Sequence, residues 1–330
     1  MSTNRARIKG LGSYLPEKIL SNADLEKLVD TSDEWISSRT GIKERRIATD
    51  ECTSDLGIKA ARIALQNAKV RLEEIDLILV ATLSPDYIAP STAAVIQGQL
   101  GDSMTAPAFD IQASCSGFIY GLSIAKAYVE SGIYKKILFI AAEKMSPFID
   151  YQDRNTCVLF GDGAAAAVIA AEGEGWEIGA VELGADGKYY ADGIIPAGGA
   201  RCPSSPQTIA DRSHYFKMDG KEVFKHAVRR MEQLAQLCLK KAHCKEDEQV
   251  WVIPHQANAR IIDAVEKTLT ENVKVFRTIH KYGNTSASSI GIALTELVQE
   301  KTFKEQDKIL LVAFGIGFTW GATTLSKIDG

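Results

Sequence analysis

The chain has 330 residues, 45% of them hydrophobic and 24% charged, with 26 Gly and 9 Pro. That is the make-up of a folded globular protein long enough to bury most of its unfolded surface, and it excludes collagen-like, disordered and fibrous-repeat classes. With 38 Lys and Arg against 42 Asp and Glu, the net charge of −4 supplies no broad basic field, so no nucleic-acid partner is expected and a charged partner must meet a local patch.

In chain order, residues 1–20 lack the cationic start and apolar centre of a signal peptide, and no apolar run approaches the roughly 18 to 20 residues of a membrane span. A cytoplasmic protein with no membrane partner is the expectation. Gly10-Leu11-Gly12 reads as a turn. Strands are predicted at 77–81, 108–111, 137–142, 250–253, 273–277 and 309–314, and helix-period segments lie between them. This alternation is the pattern of βαβ units around a buried parallel sheet, so the fold class is α/β.

The pattern repeats itself. The strand beginning at Leu77 is followed by Cys115, a helix carrying Phe118, Leu122, Ala125 and Val129, and the strand at 137–142. The strand beginning at Val250 is followed by Asn284, a helix carrying Ile290, Ala293, Leu294 and Leu297, and the strand at 309–314. The join falls where EGEG (172–175) interrupts an apolar run, dividing the chain into halves 1–173 and 174–330. Two such layers facing each other bring Cys115 and Asn284 to equivalent helix starts. A Gly/Pro/Ser-rich stretch with weak periodicity at 184–217 is too long for a plain connector and reads as a loop over a site.

Six cysteines, Cys52, Cys115, Cys157, Cys202, Cys238 and Cys244, show no C-x-x-C spacing and fit free thiols in a reducing compartment. Cys238, His243 and Cys244 lack a second ligand pair, so no metal is expected. Cys115, in FDIQASCSGF, stands where a strand turns into a helix among small residues; unpaired N–H groups there should lower its pKa. His255 closes VWVIPHQAN at the end of a buried strand, where α/β sheets gather ligands. Asn284, in HKYGNTSASS, follows Gly283 and presents an amide. A single active site explains the three turns more economically than three separate structural roles. GIGFTWG (315–321) is not a dinucleotide fingerprint, because it follows the last core strand and precedes another strand-like run; its N–H groups suit an oxyanion.

TSDEWISSRTGIKER (31–45), ASCSGF (113–118), DRNTCVLFGDGAAAA (153–167), PHQAN (254–258), GNTSASS (283–289) and FGIGFTWG (314–321) together resemble the β-ketoacyl-acyl-carrier-protein synthase III family of thiolase-fold condensing enzymes, over nearly the whole chain. The resemblance implies duplicated βαβ halves in a layered α-β-α-β-α sandwich, a homodimer, and Cys115, His255 and Asn284 as the catalytic set. An acyl-CoA, with acetyl-CoA as the first choice, would acylate Cys115, the oxyanion held by the N–H groups of Cys115 and Ile316. Malonyl-acyl-carrier-protein would then be decarboxylated and condensed in the initiating step of fatty-acid synthesis.

The same resemblance places Trp35, Arg39, Arg154, Phe224 and Asn258 at CoA, which is a substrate, so no cofactor is called for. It leaves Arg260, Lys225 and Lys267 as a patch for the acidic carrier protein. The chain departs from the family pattern at Ile316, where glycine is frequent and a β-branched residue would be strained at positive φ. It departs again at Ala89, where a bulky aromatic can reach across the dimer and shorten the acyl pocket.

Elongating condensing enzymes, with a second His at Asn284, biosynthetic thiolases, with a second Cys, and hydroxymethylglutaryl-CoA synthases, with a glutamate where Leu83 stands, fit less well. A starter-specific polyketide or quinolone-type synthase is the alternative within the superfamily. A papain-like hydrolase or a non-catalytic scaffold is the alternative outside it.

Overall fold

The computed structural model describes residues 4–101, 104–244 and 249–329. Ten strands pair edge to edge in the order Val273–Val275, Val250–Pro254, Lys308–Gly315, Thr319–Ile328, Gly175–Ala185, Arg7–Tyr14, Gly163–Ala170, Lys136–Glu143, Leu77–Ala81 and Ala108–Ile111. Numbered along the chain, the first five strands lie in the order 3-2-4-5-1 from one edge, and the last five lie in the same order from the other. Residues 171–174 connect the two sets. Only two pairs, Arg7 with Glu177 and Ile8 with Trp176, join the strand Arg7–Tyr14 to Gly175–Ala185 at the centre.

The sheet is mixed, and the purely parallel sheet expected from the alternation is corrected accordingly. Leu77–Ala81 pairs in parallel with Ala108–Ile111 and Lys136–Glu143, as Val250–Pro254 does with Val273–Val275 and Lys308–Gly315. The strands nearer the centre pair antiparallel. Lys308–Gly315 reaches Thr319–Ile328 through three residues, too few for the crossover that a parallel neighbour requires.

Alternate side chains divide the sheet's two faces. Leu77, Leu79, Ala81 and Phe139 from one half, and Ile253, Ile309, Leu311 and Ala313 from the other, share a single buried cluster with the helices Gly117–Ser131 and Ser289–Glu300. The predicted apolar positions of both helices are buried there. The intervening residues Ile78, Val80, Leu138 and Ile140 pack outward against the helices Thr53–Ala68 and Thr92–Leu100. Val250, Val252, Leu310 and Val312 pack outward against Gly220–Lys241 and Ala259–Glu266. Helix, half-sheet, two central helices, half-sheet and helix therefore form five layers.

Two further sequence expectations change. Gly10 and Gly12 do not make a turn; they lie inside Arg7–Tyr14, where the helix Thr53–Ala68 crosses so closely that a Cβ on Gly12 would stand 2.4 Å from the Ala60 carbonyl oxygen. Residues 184–217 are not one loop. Gly184 ends in the strand Gly175–Ala185, a 3-10 segment covers Gly187–Asp192, Gly193–Ile194 pairs with Lys217–Met218, and Pro206–Ala210 is a short helix.

Gly12→Ala must push the helix backbone away, so it should cost about 2 kcal/mol or more, the range of overpacked cores. Chemical denaturation checks it; a variant as stable as the native chain would show that the helix yields freely.

Candidate active site

The two central helices begin alike. The 3-10 turn Ser114–Ser116 leads into Gly117–Ser131, and the 3-10 turn Ser286–Ser288 leads into Ser289–Glu300. Ser114 and Ser286 both hold left-handed backbone, with φ of 47° and 51°. Strain of this kind persists only where surrounding structure enforces it. Cys115 is thus the counterpart of Ala287, and Asn284 stands two residues ahead of its turn as Gln112 does ahead of the first. The expectation that Cys115 and Asn284 occupy equivalent positions is corrected by this offset, although the two turns do face each other.

Each turn is tied down from a distant part of the chain. The hydroxyl of Thr319 donates to the Ala113 carbonyl at 2.9 Å, and the Ser116 hydroxyl donates to the Thr319 carbonyl at 3.1 Å. Gly315 lies so near that a Cβ on it would be 2.8 Å from the Cys115 nitrogen. The glycine-rich segment is thereby held against the Cys115 turn. Its positive φ falls at Gly317 and not at Ile316, so the β-branched residue carries none of the strain its position threatened. Asn284 is fixed through its backbone: its N–H donates to the Leu159 carbonyl at 2.8 Å and its carbonyl accepts from Gly161 at 3.0 Å. Gly283, at φ 64°, makes the approach to Leu159. The Asn284 Oδ1 accepts from the Ser286 N–H at 2.8 Å, which turns the amide NH₂ the other way, toward the Cys115 sulfur.

Cys115, His255 and Asn284 all line one cavity of about 790 Å³. All three are buried. Burial pushes the Cys115 thiol up to about 12, outweighing the hydrogen bonds that favour its anion. The expected lowering by the helix start is therefore reversed: the sulfur rests as a thiol. Burial also drives His255 down to about 3, so its imidazole is neutral. The His255 Nδ1 lies 2.6 Å from the Ser289 Oγ. With Ser289 assigned as the donor, the ring proton sits on Nε2.

Trp35, Arg39, Phe224, Asn258, Arg260 and Ile316 line the same cavity. Arg154 does not line it but stacks its guanidinium 4.2 Å from the Trp35 ring centre, with Arg39 at 5.3 Å. Asn258 caps Ala259–Glu266 by accepting from the Arg260 N–H through its Oδ1, leaving its NH₂ free. Lys225 and Lys267 are exposed but line neither cavity, whereas Arg260 lines the larger one; Lys225 lies 3.6 Å from Glu222. The sequence reading missed Lys221, which does line it, together with Phe216 from the 184–217 stretch and Met218 just beyond it. Lys221 could have been found from its place in the first turn of a basic helix.

A second cavity of about 320 Å³ is bounded by Leu83, Ala113, Ser114, Ile195, Phe216 and Ile316, among others. Ala89 is exposed beside Tyr87 and Ile88 and lines neither cavity of its own chain.

Residues 109–187 match the model of the family described as 3-oxoacyl-[acyl-carrier-protein (ACP)] synthase III, and residues 239–327 match its C-terminal counterpart. The β-ketoacyl-[acyl-carrier-protein] synthase III of Chlamydia muridarum is 55% identical over 98% of this chain and 100% of its own. The chain belongs to the β-ketoacyl-[acyl-carrier-protein] synthase III family. The crystal structure of the Aquifex aeolicus 3-oxoacyl-[acyl-carrier-protein] synthase III superimposes with a TM-score of 0.87 at 47% identity, covering 97% of this chain and 99% of that one. A priming β-ketosynthase of the R1128 polyketide pathway gives 0.89 at 35% identity, covering 100% and 98%. Thiolase-fold condensing chemistry therefore frames the cavity.

A buried neutral His255 has a stability consequence. Its folded pKa lies below its unfolded value of 6.5, so the unfolded chain takes up the proton first. Stability should fall as pH drops from 6.5 towards 3, by about 1.4 kcal/mol per unit from this group. Comparing denaturation of the native chain and His255→Gln across that range isolates the contribution; parallel pH profiles would assign the acid sensitivity to other groups.

Proposed function

We propose that this chain transfers an acyl group from acyl-CoA to Cys115 and condenses it with malonyl-acyl-carrier-protein, the initiating step of fatty-acid synthesis. The observation that carries the reading is one cavity holding a buried thiol, a neutral imidazole and an amide whose oxygen is already occupied.

The sulfur attacks the thioester carbon, and the tetrahedral oxyanion is held by the N–H groups of Cys115 and Ile316. The carbon–sulfur bond to CoA then breaks, leaving acyl-Cys115. Malonyl thioester loses CO₂, and its carbonyl oxygen takes the resulting negative charge as an enolate. The His255 Nε2–H and the Asn284 NH₂ suit that oxygen as two uncharged donors, and a low pKa prevents His255 from competing as a base. The enolate carbon attacks the acyl-Cys115 carbonyl, the new carbon–carbon bond forms, and the Cys115 sulfur departs.

Arg39 and Arg260 at the cavity wall supply positive charge for CoA phosphates, and the Trp35 face stacked on Arg154 suits a purine. Phe224 lies with Arg154 toward the nucleotide, and the Asn258 amide suits the pantetheine. Lys221 with Arg260 makes a compact basic patch for an acidic carrier protein, which Lys225 and Lys267 would extend along the surface. Tyr87 and Ile88, 60% and 90% exposed beside Ala89, support a homodimer in which this loop meets a second copy. No described helix is long and apolar enough to cross a membrane. We place the enzyme in the cytoplasm.

Acetyl-CoA should add one acetyl group to Cys115, visible by peptide mass, and Cys115→Ala should abolish it. His255→Ala and Asn284→Ala should keep the acetylation but lower malonyl decarboxylation by about 10²-fold or more each, the cost of an oxyanion donor. Release of acetate with malonyl-acyl-carrier-protein left unconsumed would favour a hydrolase, and neither reaction would favour a scaffold.

The second cavity gives an acyl chain room, and a small residue at Ala89 does not fill it from a partner. C4 to C6 acyl-CoA primers should therefore be condensed alongside acetyl-CoA in a panel scored by product mass; turnover of acetyl-CoA alone would discard the longer pocket.

A further inference from the structure

Glu143 ends the strand Lys136–Glu143, fully buried, and among the described residues no cation pairs with it. Hydrogen-bond donors surround it instead. Its Oε2 accepts from the Thr82 hydroxyl at 3.1 Å, the Leu83 and Ser84 N–H groups at 3.1 Å and the Ser84 hydroxyl at 2.5 Å. The Leu83 and Ser84 N–H groups can only donate, and the Ser84 and Thr82 oxygens each accept one N–H already, from Lys144 and from Ser84, which leaves both hydroxyl hydrogens available to Glu143. Burial raises the Glu143 pKa, and these donors act the other way, favouring the carboxylate.

The other oxygen points at the reaction centre. Glu143 Oε1 accepts from the Ser286 hydroxyl at 3.0 Å, and Ser286 Oγ in turn lies 3.7 Å from the Cys115 sulfur. Left-handed backbone at Ser286 puts its hydroxyl between the two. One hydroxyl hydrogen cannot serve both neighbours: given to the carboxylate, it leaves a lone pair for the Cys115 S–H. The chain of donors runs from sulfur through Ser286 to Glu143, and its proton acceptor is already in place.

We propose that Glu143, acting through the Ser286 hydroxyl, takes the Cys115 proton as the sulfur attacks the thioester. The Cys115 S–H bond breaks as its proton moves to the Ser286 oxygen, while the Ser286 proton moves to Glu143 Oε1. The freed sulfur pair forms the bond to the acyl carbon, and the pair of the breaking carbon–sulfur bond leaves with CoA. The same hydroxyl then returns the proton from Glu143 to the departing sulfur, so that acyl-CoA and thiol become acyl-Cys115 and CoA thiol. Such a route is needed because the resting sulfur is protonated and His255 is too weak a base to deprotonate it. Of the ionisable groups on the elements packed around this network, Cys115 belongs to it and His255 is neutral across the cavity. The Asp110 carboxylate is held by the Thr92 and Ala93 N–H groups, and Lys144 turns its ammonium to the carbonyls of Thr49 and Glu51.

Alkylation of Cys115 by iodoacetamide, followed by peptide mass from pH 6.5 to 8.5, tests the relay. A thiol sharing one proton with a carboxylate reacts at a nearly constant rate across that range. Ser286→Ala and Glu143→Gln should instead react about tenfold faster per pH unit and at least about tenfold more slowly than the native chain at pH 7. Should Glu143→Gln not fold, Ser286→Ala carries the comparison, since it keeps the carboxylate and its other donors. A native rate that itself rises tenfold per unit overturns the proposal, as do variants that melt earlier yet keep the native profile. The proposal rests on Cys115 being the acylated thiol. Because iodoacetamide needs no thioester site, failure of acetyl-CoA to label Cys115 would count against the proposed function separately from the alkylation profile.

Discussion

Desolvation at the seam between the two half-sheets sets the protonation of the Cys115 thiol and the His255 imidazole. Removing water disfavours charge, so the Cys115 thiol keeps its proton and the His255 imidazole loses its own. Both outcomes suit a reaction in which negative charge appears only in passing on a thioester oxygen. A neutral donor stabilises that oxygen without forming a permanent ion pair, and in a water-excluded site its hydrogen bond counts for more than in bulk. The same burial raises the Glu143 pKa, but its donors oppose the shift with hydrogen bonds that favour the anion. Glu143 is thus held between burial, which favours its protonated form, and donors that favour its anion.

Duplication explains how these groups meet. The fourth strand of the first half, KILFIAAE, and that of the second, KILLVAFG, are both eight residues long and buried beyond the first residue. Glu143 and Gly315 end them at corresponding positions. Gly315 brings its strand end against the Cys115 turn with no side chain between, whereas Glu143 extends a carboxylate to the Ser286 turn. The two copies have specialised in opposite directions. One turn carries the Cys115 thiol with bare backbone packed beside it, and the other carries hydroxyl and amide groups that face that thiol.

Much of this was legible from residue order. The strands at 77–81 and 108–111 were located to the residue, because their short β-branched and aromatic runs are bounded by polar segments. Gly163–Ala170 shows in the sequence only as an apolar run, and within Arg7–Tyr14 only Gly10-Leu11-Gly12 stands out, as a turn signal, since alanine and glycine carry little strand preference of their own. Small residues stand there because helices cross those strands closely, a tertiary demand with no local signature. At the site, Cys115, His255 and Asn284 were legible because each reactive type follows a strand. Ser286 and Glu143 were not: a serine among serines carries no distinguishing pattern, and an acid ending an apolar strand reads as the strand's exit to solvent. The Cys115 pKa was misjudged for a related reason. A helix start is a local feature, whereas the burial that outweighs it depends on every element packed around the cavity.

Ile316 links the glycine-rich segment to the covering segment. It lines both cavities, so its side chain stands where the larger space meets the smaller. A Cβ on Gly193 would lie 2.2 Å from the Ile316 Cγ2, so the branched side chain fits only because the covering segment leaves a gap opposite it. The pair Gly193–Ile194 with Lys217–Met218 holds that gap in register. A larger residue in the glycine-rich segment is therefore matched by a missing side chain at Gly193, while Gly315 keeps its place against the Cys115 turn. Segments more than a hundred residues apart thus share one steric constraint, which ties the junction of the two cavities to the backbone packed against the Cys115 turn.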